Sequence, residues 1–356
     1  MLVRPARMDD VKGLTELSKK AGRGLTTMPK TAAEMTERIE HSIAALGRTG
    51  PTPPPEDATT ENYFLVLEED NRVIGTAGIF TNLGSERPFY SYRISQITRE
   101  SPELDIRSDV EILSLVNDYH GYCEIGTLFL DPAWRGGGRG RLMSFSRFML
   151  MASHPDRFNS NVLAEIRGWS DSDERFPFWE AIGQKFFKMG FVEADKRSTV
   201  DTRFIADLMP KHPIYVSLLS EEAQRIIGEP HTLSRPAMEL LESQGFRFRS
   251  CVDILDAGPS IEAVVSEVET IRNAFKAPVV VDDAATGTDG EKWLVANPAL
   301  DNFSCTEIQF AKGVKVANGD SFSLSTTQAK RLNVDAGQQV LVSRLIGRRP
   351  ESPDTA

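Results

Sequence analysis

The spacing of apolar residues changes period several times along this chain and predicts a mixture of helices and strands. Apolar residues three or four positions apart indicate helices over 8–20, 32–46, 176–189 and 236–244. Short apolar runs between turn residues indicate strands at 2–4, 63–68, 73–80, 90–97, 110–116 and 162–167. The turn Asp70-Asn71 joins two of these strands, so residues 63–80 are predicted to form a hairpin.

The stretch from Cys123 to Met151 is the most informative, because it reads as a strand, a glycine-rich turn and a helix. The strand covers 123–130 and ends at Asp131-Pro132, since proline cannot continue a ladder. Helical spacing of apolar residues begins at Leu142. The turn between strand and helix contains Arg135, Gly136, Gly137, Gly138, Arg139 and Gly140.

This turn has the chemistry of an anion site. A helix N-terminus attracts anions because its first N–H groups are unpaired and lie at the positive end of the helix dipole. Glycine lets a phosphate approach those N–H groups, and arginine adds positive charge. The turn matches neither Gly-x-Gly-x-x-Gly nor a Walker loop. It predicts a pyrophosphate site, with a glycine-rich turn that binds no ligand as the alternative.

The rest of the chain divides by composition. Residues 47–60 are rich in proline and predict an insertion without helix or strand. Residues 176–189 carry a Trp and Phe stripe that favours a packed core. Residues 276–290 read as a polar linker, and 293–344 read as strands separated by Asn, Gly and Asp turns. Residues 347–356 are predicted to form a disordered tail.

Composition narrows the class of protein. The 356 residues include 41 Lys and Arg against 51 Asp and Glu, and this net charge of −10 argues against binding to nucleic acid or to an anionic membrane. No apolar run approaches the roughly 18 residues of a membrane span, and the first residues do not resemble a signal peptide. The 3 cysteines are widely spaced without a Cys-x-x-Cys pair, which indicates a reduced, cytoplasmic chain without a zinc site.

The strand, turn and helix together resemble the acetyl-CoA signature of the GNAT superfamily of N-acyltransferases, carried here by Arg135, Gly138 and Gly140. The resemblance implies an α/β (α+β) fold in which helices flank a mixed central sheet. To this the sequence adds a small C-terminal all-β subdomain. The implied ligand is an acyl-CoA.

Longer phrases resemble the arginine N-succinyltransferase family, and they occur in order between residues 2 and 272. Among them are GTLFLDPAWR at 126–135, FPFWEAIGQKFF at 176–187 and EEAQRIIGEPH at 221–231. The resemblance implies transfer of a succinyl group from succinyl-CoA to the α-amino group of L-arginine. Succinyl-CoA is then a co-substrate, and no cofactor is permanently bound.

The predicted domains follow from this resemblance and from the composition. They are an acyl-CoA-binding domain at 1–200, an extension at 201–275 that carries His231, a small β-barrel-like subdomain at 290–346 and the tail.

The same resemblance gives roles to individual residues. It implies that Leu128 contacts succinyl-CoA and that His231 is the proton donor. Gly126 in mid-strand predicts a bulge or a close approach of another backbone. A splayed strand at 127–130 would leave backbone groups free to pair with the pantetheine arm of CoA. The predicted acyl-CoA-binding residues are Leu128, Leu130, Arg135, Gly136, Gly138, Arg139 and Gly140.

Without the resemblance, the choice of histidine stays open. His231 follows Gly228-Glu229-Pro230 in a loop, and His120 lies just before the central strand, so either side chain could reach a cleft. An imidazole with a pKa near 6.5 can exchange a proton with the amine or with the CoA thiolate. Cys123 and Cys251 lack a neighbour that would lower the pKa of a thiol, so direct attack in a ternary complex is favoured.

Three questions remain open at this stage. The amine could be ornithine or another small amine, and the chain could be a non-catalytic acyl-CoA-binding subunit. It could form a homo-oligomer or an assembly with a related subunit. An arginine substrate needs carboxylates for its guanidinium and cations for its carboxylate. The candidates near the cleft can also be ordinary ion pairs and are not assigned: Asp118, Glu124, Glu165, Arg93 and Arg167.

Overall fold

The computed structural model describes residues 1–21, 25, 27–48, 60–198, 203–284, 287–314 and 316–345. Most of the predicted proline-rich insertion and all of the predicted tail at 347–356 lie outside these residues. The described strands are β1 (Leu2–Pro5), β2 (Asn62–Glu69), β3 (Arg72–Phe80), β4 (Ser91–Ser101), β5 (Ile106–Val116), β6 (Cys123–Leu130), β7 (Asn161–Glu165), β8 (Ile214–Tyr215), β9 (Arg247–Asp253), β10 (Pro259–Val264), β11 (Phe275–Val281), β12 (Lys292–Asn297), β13 (Ser304–Gln309), β14 (Phe322–Leu324) and β15 (Gln339–Arg344).

The described helices lie between these strands, and none of them is long and apolar enough to cross a bilayer. They are α1 (Val11–Lys20), α2 (Ala32–Gly47), α3 (Arg139–Ser153), α4 (Pro177–Ala181), α5 (Gly183–Phe187), α6 (Phe191–Ser198), α7 (Arg203–Leu208), α8 (Glu221–Ile226), α9 (Arg235–Glu242), α10 (Glu269–Arg272) and α11 (Thr326–Leu332).

One mixed sheet connects all the described strands, in the order β14-β11-β15-β12-β13-β1-β2-β3-β6-β7-β10-β9-β4-β5-β8. Most neighbours are antiparallel, whereas β6–β7 and β11–β14 are parallel. The predicted hairpin is present, with Asp70 and Asn71 both at positive φ as a tight primed turn requires. The predicted α/β fold with a mixed sheet and flanking helices is confirmed.

Helix α3 lies at the centre of the largest hydrophobic core. Every residue from Leu142 to Met151 is buried, because α3 packs against β3 and β6 and also against β12 and β13. A helix that is buried on nearly all sides needs such a double cover. The C-terminal strands therefore bury the helix whose N-terminus carries the glycine-rich turn.

The C-terminal region differs from the prediction in two respects. Residues 275–281 form strand β11 between β14 and β15, whereas the sequence predicts a polar linker at 276–290. The prediction is wrong here because Lys276 and Pro278 alternate with the buried Ala277 and Val279, so the segment does not read as an apolar run. The region is also not all-β. Helix α11 begins at a capping box in which Ser325 accepts from the N–H of Gln328, a signal overlooked in the sequence. The predicted domain boundaries stay predictions.

The aromatic helix predicted at 176–189 is two short helices, α4 and α5, with a break at Ile182. Gly183 allows this break, since a Cβ there would lie 2.2 Å from ring atoms of Trp179. Phe178 and Trp179 are buried as core residues, as predicted, whereas Phe186 is exposed. Residues 191–198 form α6.

Candidate active site

A cleft opens between β6 and β7, because the two strands separate soon after they begin. Their parallel ladder consists of two pairs, Cys123 with Val162 and Glu124 with Leu163, although β6 continues to Leu130. The rest of that edge of β6 has no partner strand among the described residues. This unpaired edge is the splayed segment predicted at 127–130.

A bulge lies in β6 beside this cleft. The register between β3 and β6 places Thr127 and Leu128 together opposite the single residue Ala77. Thr127 has a φ of 52°, and Thr76 Oγ1 donates to its carbonyl oxygen at 2.8 Å. The bulge predicted next to Gly126 is therefore present, one residue further along.

The side chains of the two predicted leucines do not line the open edge. Leu128 and Leu130 are partly buried against the core around α3, and Phe129 packs against the opposite core below α1 and α2. Whatever these two residues offer to a ligand in the cleft comes chiefly from their backbone N–H and C=O groups.

The glycine-rich turn has an unusual backbone. Gly136, Gly137 and Gly138 have φ values of 95°, 60° and 82°, a run that residues with a Cβ adopt only under strain. Gly138 is the N-cap of α3, so the helix starts at Arg139, three residues before the apolar spacing does. Within the described part of the chain, no group accepts a hydrogen bond from the N–H of Gly137, Gly138 or Gly140.

The arginines of the turn have different surroundings. Arg135 is exposed and has no ion pair among the described residues. The guanidinium of Arg139 binds both carboxylate oxygens of Glu69, at 2.6 and 3.0 Å, and lies over the ring of Trp134. Arg139 thus anchors the start of α3 to β2. Its side chain is engaged, whereas that of Arg135 is available.

The predicted proton donor lies at the end of β7. The N–H of His231 donates to the carbonyl oxygen of Arg167 at 2.8 Å, and Pro230 pairs with Gly168 in an isolated bridge. Since β7 forms one wall of the cleft, this bridge brings residue 231 to the cleft although 103 or more positions separate it from the bulge of β6 in the amino-acid sequence.

The His231 ring is held in one tautomer. Its Nδ1 accepts a hydrogen bond of 3.1 Å from the N–H of Leu233, which leaves the proton of the neutral ring on Nε2. Partial burial and the positive charge of Arg167 lower the pKa of His231. Both effects favour a neutral imidazole that presents Nε2–H.

A tight turn at 253–258 forms hydrogen bonds with the two segments that position this histidine. Asp256 accepts from the N–H of Gly168 at 2.7 Å and from that of Gly258 at 2.8 Å. The N–H of Gly228 donates to Ala257 O at 2.9 Å. The turn therefore holds both the end of β7 and the start of the loop that carries His231.

Two carboxylates lie where β6 and β7 separate. The side-chain carboxylates of Glu124 and Glu165 have no hydrogen bond or ion pair with any other described residue. Burial raises the pKa of Glu124 to about 7, which the charge of Arg38 opposes. Burial and the nearby acidic groups, Asp253 first among them, raise the pKa of Glu165 well above its ordinary range.

The remaining candidates lie elsewhere or are paired. His120 is exposed in the turn after β5. Arg93 and Asp118 form an exposed ion pair with each other at 2.6 Å, as the simple interpretation expected. Cys123 is fully buried, and burial raises the pKa of its thiol to about 12, which makes it a poor nucleophile.

Comparison with known proteins identifies the family. A family model described as "Arginine N-succinyltransferase beta subunit" matches residues 1–270. An arginine N-succinyltransferase of Citrobacter koseri is 39% identical over 348 residues, which cover 97% of this chain and 98% of that protein. One of Escherichia coli is 38% identical with the same coverage. The chain belongs to the arginine N-succinyltransferase family.

A solved structure supports the same assignment. Arginine/ornithine succinyltransferase subunit AI of Pseudomonas aeruginosa is 29% identical, with a TM-score of 0.84 and coverage of 96% of this chain and 98% of that one. The family model and the recognisable phrases stop before the C-terminal strands. The structural similarity to this arginine/ornithine succinyltransferase subunit includes those strands as well. The predicted family, and with it an acyltransferase, is confirmed.

Proposed function

We propose that this chain transfers the succinyl group of succinyl-CoA to the α-amino group of L-arginine in a ternary complex. The observation that carries the proposal is the family relationship over nearly the whole chain. Three features support it: the unpaired edge of β6, the glycine-rich turn at the start of α3, and the bond from His231 N–H to Arg167 O just beyond β7.

In the proposed complex, each part of succinyl-CoA binds a different element of the chain. Its pyrophosphate would accept from the free N–H groups between Gly136 and Gly140, with Arg135 adding charge. Its pantetheine arm would pair with the open edge of β6 at Leu128 and Leu130. Succinyl-CoA enters and leaves as a co-substrate in this scheme.

The proposed chemistry is direct attack of the amine on the thioester carbonyl. A backbone N–H at the bulge by Leu128 would stabilise the oxyanion, since such donors act most strongly in a water-poor cleft. His231 would give its Nε2 proton to the sulfur as the C–S bond breaks, in step with reprotonation of the ring by the attacking ammonium group, so that no imidazolate is left. The substrate ammonium loses two protons overall, of which one ends on the CoA thiol and the other in solvent.

The experiment that tests this proposal is incubation of the purified chain with succinyl-CoA and a panel of amines, followed by detection of free thiol and of the acylated amine. Thiol release that depends on L-arginine supports the proposal. No release with any amine would favour the alternative of a non-catalytic acyl-CoA-binding subunit.

The acyl donor can be tested in the same assay. We expect kcat/KM for succinyl-CoA to exceed that for acetyl-CoA by about 10–100-fold, the effect of one hydrogen bond to a charged group, here the distal carboxylate. Comparable values for the two donors would contradict succinyl specificity and leave a broader N-acyltransferase.

The pyrophosphate site can be tested at Gly140. A Cβ there meets nothing within 4 Å, and the Cα–Cβ bond of a helical residue points toward the helix N-terminus, where the phosphate would lie. We expect Gly140→Val to raise the KM for succinyl-CoA by about 10–100-fold through lost charged hydrogen bonds. The readout is the KM, with thermal unfolding as a check of folding.

Gly13→Val is the matched control, because Gly13 lies in α1 and its Cβ also meets open space. It should leave the KM unchanged. Gly138 is a poorer test, since its φ of 82° and the nearby Glu307 carboxylate strain any side chain there. An unchanged KM in Gly140→Val would place the pyrophosphate elsewhere.

Two further points belong to the proposal. The Pseudomonas relative is named for arginine and ornithine and is called a subunit, so ornithine is the second candidate substrate and an assembly with a related chain is the alternative to a homo-oligomer. Measuring the molecular mass of the purified chain in solution, alone and with such a partner, decides between these two assemblies. We also propose a cytoplasmic location, which the three free buried thiols support.

A further inference from the structure

Two carboxyl groups at the floor of the cleft have no ion pair with any described residue. Glu165 ends β7, and the charged groups that act on it are all acidic: Asp253, Glu124 and Asp256. Asp253 and Asp256 already accept backbone N–H groups within the 253–258 turn. Glu124 is 8% exposed and Glu165 is partly exposed, and neither carboxylate has a hydrogen bond with a described residue. The charge of Arg38 acts on Glu124, whereas no cation acts on Glu165 in this way.

The same face of the sheet carries further polar groups without partners. Ser260 lies opposite Glu165 in the β7–β10 ladder, so both side chains project from one face. Ser260 is fully buried, and its Oγ has no hydrogen-bond partner in the described structure. Ser91 lies opposite Asp253 in the β4–β9 ladder, and its buried Oγ likewise has no hydrogen-bond partner in the described structure. Buried polar atoms are rarely unsatisfied, so this face offers hydrogen-bonding groups to a polar ligand.

We propose that Glu165, with Glu124 beside it, binds the guanidinium group of the amine substrate. This inference rests on the proposed function, since it supplies the arginine subsite of the same reaction. A buried carboxylate surrounded by carboxylates requires either a proton or a cation. The guanidinium is a permanent cation with five N–H donors, enough to reach two carboxylates.

The α-ammonium group of the substrate fits this subsite less well. It must lose a proton before it can attack the thioester, and an acidic surrounding stabilises its charged form. The guanidinium never has to give up its charge during the reaction. The subsite therefore binds the distal end of the substrate and leaves the α-amino group to the bulge of β6 and His231.

The test compares arginine with citrulline, whose urea group has nearly the shape of guanidinium without its charge. The wild-type chain should prefer arginine strongly by kcat/KM. In Glu165→Gln we expect the KM for arginine to rise by about 10–100-fold, while kcat/KM for citrulline stays near its wild-type value. The preference for arginine over citrulline should fall by the same factor.

Glu262→Gln is the matched control, because Glu262 lies on the same face of β10 and is paired with Arg249 at 3.3 Å. It should leave the preference unchanged. An unchanged preference in Glu165→Gln would overturn the subsite, as would equal losses for arginine and citrulline, which would assign Glu165 to the α-amine or to folding.

The experiment distinguishes a wrong assignment of the subsite from a wrong assignment of the function. A wild-type chain that does not turn over arginine refutes the function. The same variants are then compared by the rise in melting temperature that arginine and citrulline produce. Loss of an arginine-specific rise in Glu165→Gln alone would still support the subsite, and a rise that is equal for both compounds in the wild type would overturn it.

Discussion

His231→Asn should lower kcat by about 10²–10⁴-fold, the range that a positioned acid–base group contributes. An asparagine side chain can accept from the N–H two residues ahead, so it can replace the bond from the N–H of Leu233 to Nδ1. The loop should therefore keep its geometry while the Nε2–H donor is lost. The KM for succinyl-CoA and the melting temperature should stay near the wild-type values.

A role in the transition state predicts equal falls in kcat and kcat/KM, measured by thiol release at saturating and limiting amine. His231→Ala should lower kcat as much and also reduce stability, because it leaves the N–H of Leu233 without its acceptor. His120→Asn is the control in the exposed turn after β5 and should change neither parameter. If His231→Asn retains more than about a third of kcat, or His120→Asn loses as much, His231 is not the proton donor.

The central strand, the turn and the helix were predictable from the sequence because their signals are local. Alternation ended at Pro132, three glycines followed, and helical spacing began within ten residues, so β6 and α3 occur where expected. The start of α3 at Arg139 was missed because its first turn is polar. Apolar spacing does not mark the polar first turn of a helix, whereas a glycine at the N-cap can.

Other features depend on contacts between distant segments and leave little local signal. The break at Ile182 exists because the Trp179 ring occupies the space beside Gly183. Strand β11 is defined by its pairing with β15, and Lys276 and Pro278 mask its apolar positions. Periodicity within a segment cannot reveal either, because the cause lies in what the segment packs against.

The candidate site was likewise only partly predictable. His120 and His231 were equivalent by position in the chain, and the hydrogen bond from His231 N–H to Arg167 O, which brings one of them to the cleft, joins segments far apart. Glu165 and Arg93 looked alike as charged residues near a cleft. The fold distinguishes them, because Arg93 has a carboxylate partner and Glu165 has acidic neighbours.

Gly168→Ala should be a strongly damaging single-methyl change near the site. A Cβ at Gly168 would lie 2.3 Å from Asp256 O and 2.7 Å from Gly258 N, both of which are backbone atoms and cannot rotate away. The 253–258 turn would have to move off the end of β7. Such overpacking costs about 1–3 kcal/mol of folding free energy. We therefore expect a lower denaturation midpoint in urea or on heating.

The effect on catalysis should be larger than the loss of stability implies, because the same contact positions His231. Its N–H bonds to Arg167 O, next to the N–H of Gly168 that Asp256 accepts at 2.7 Å. A shift of about 1 Å at a catalytic group can cost about 10²-fold in rate, so kcat should fall in the fraction of Gly168→Ala that remains folded. Gly190→Ala adds a methyl group to open space beyond α5 and should change neither kcat nor the midpoint. A folded Gly168→Ala chain with wild-type kcat would show that the turn supports the fold without positioning the histidine.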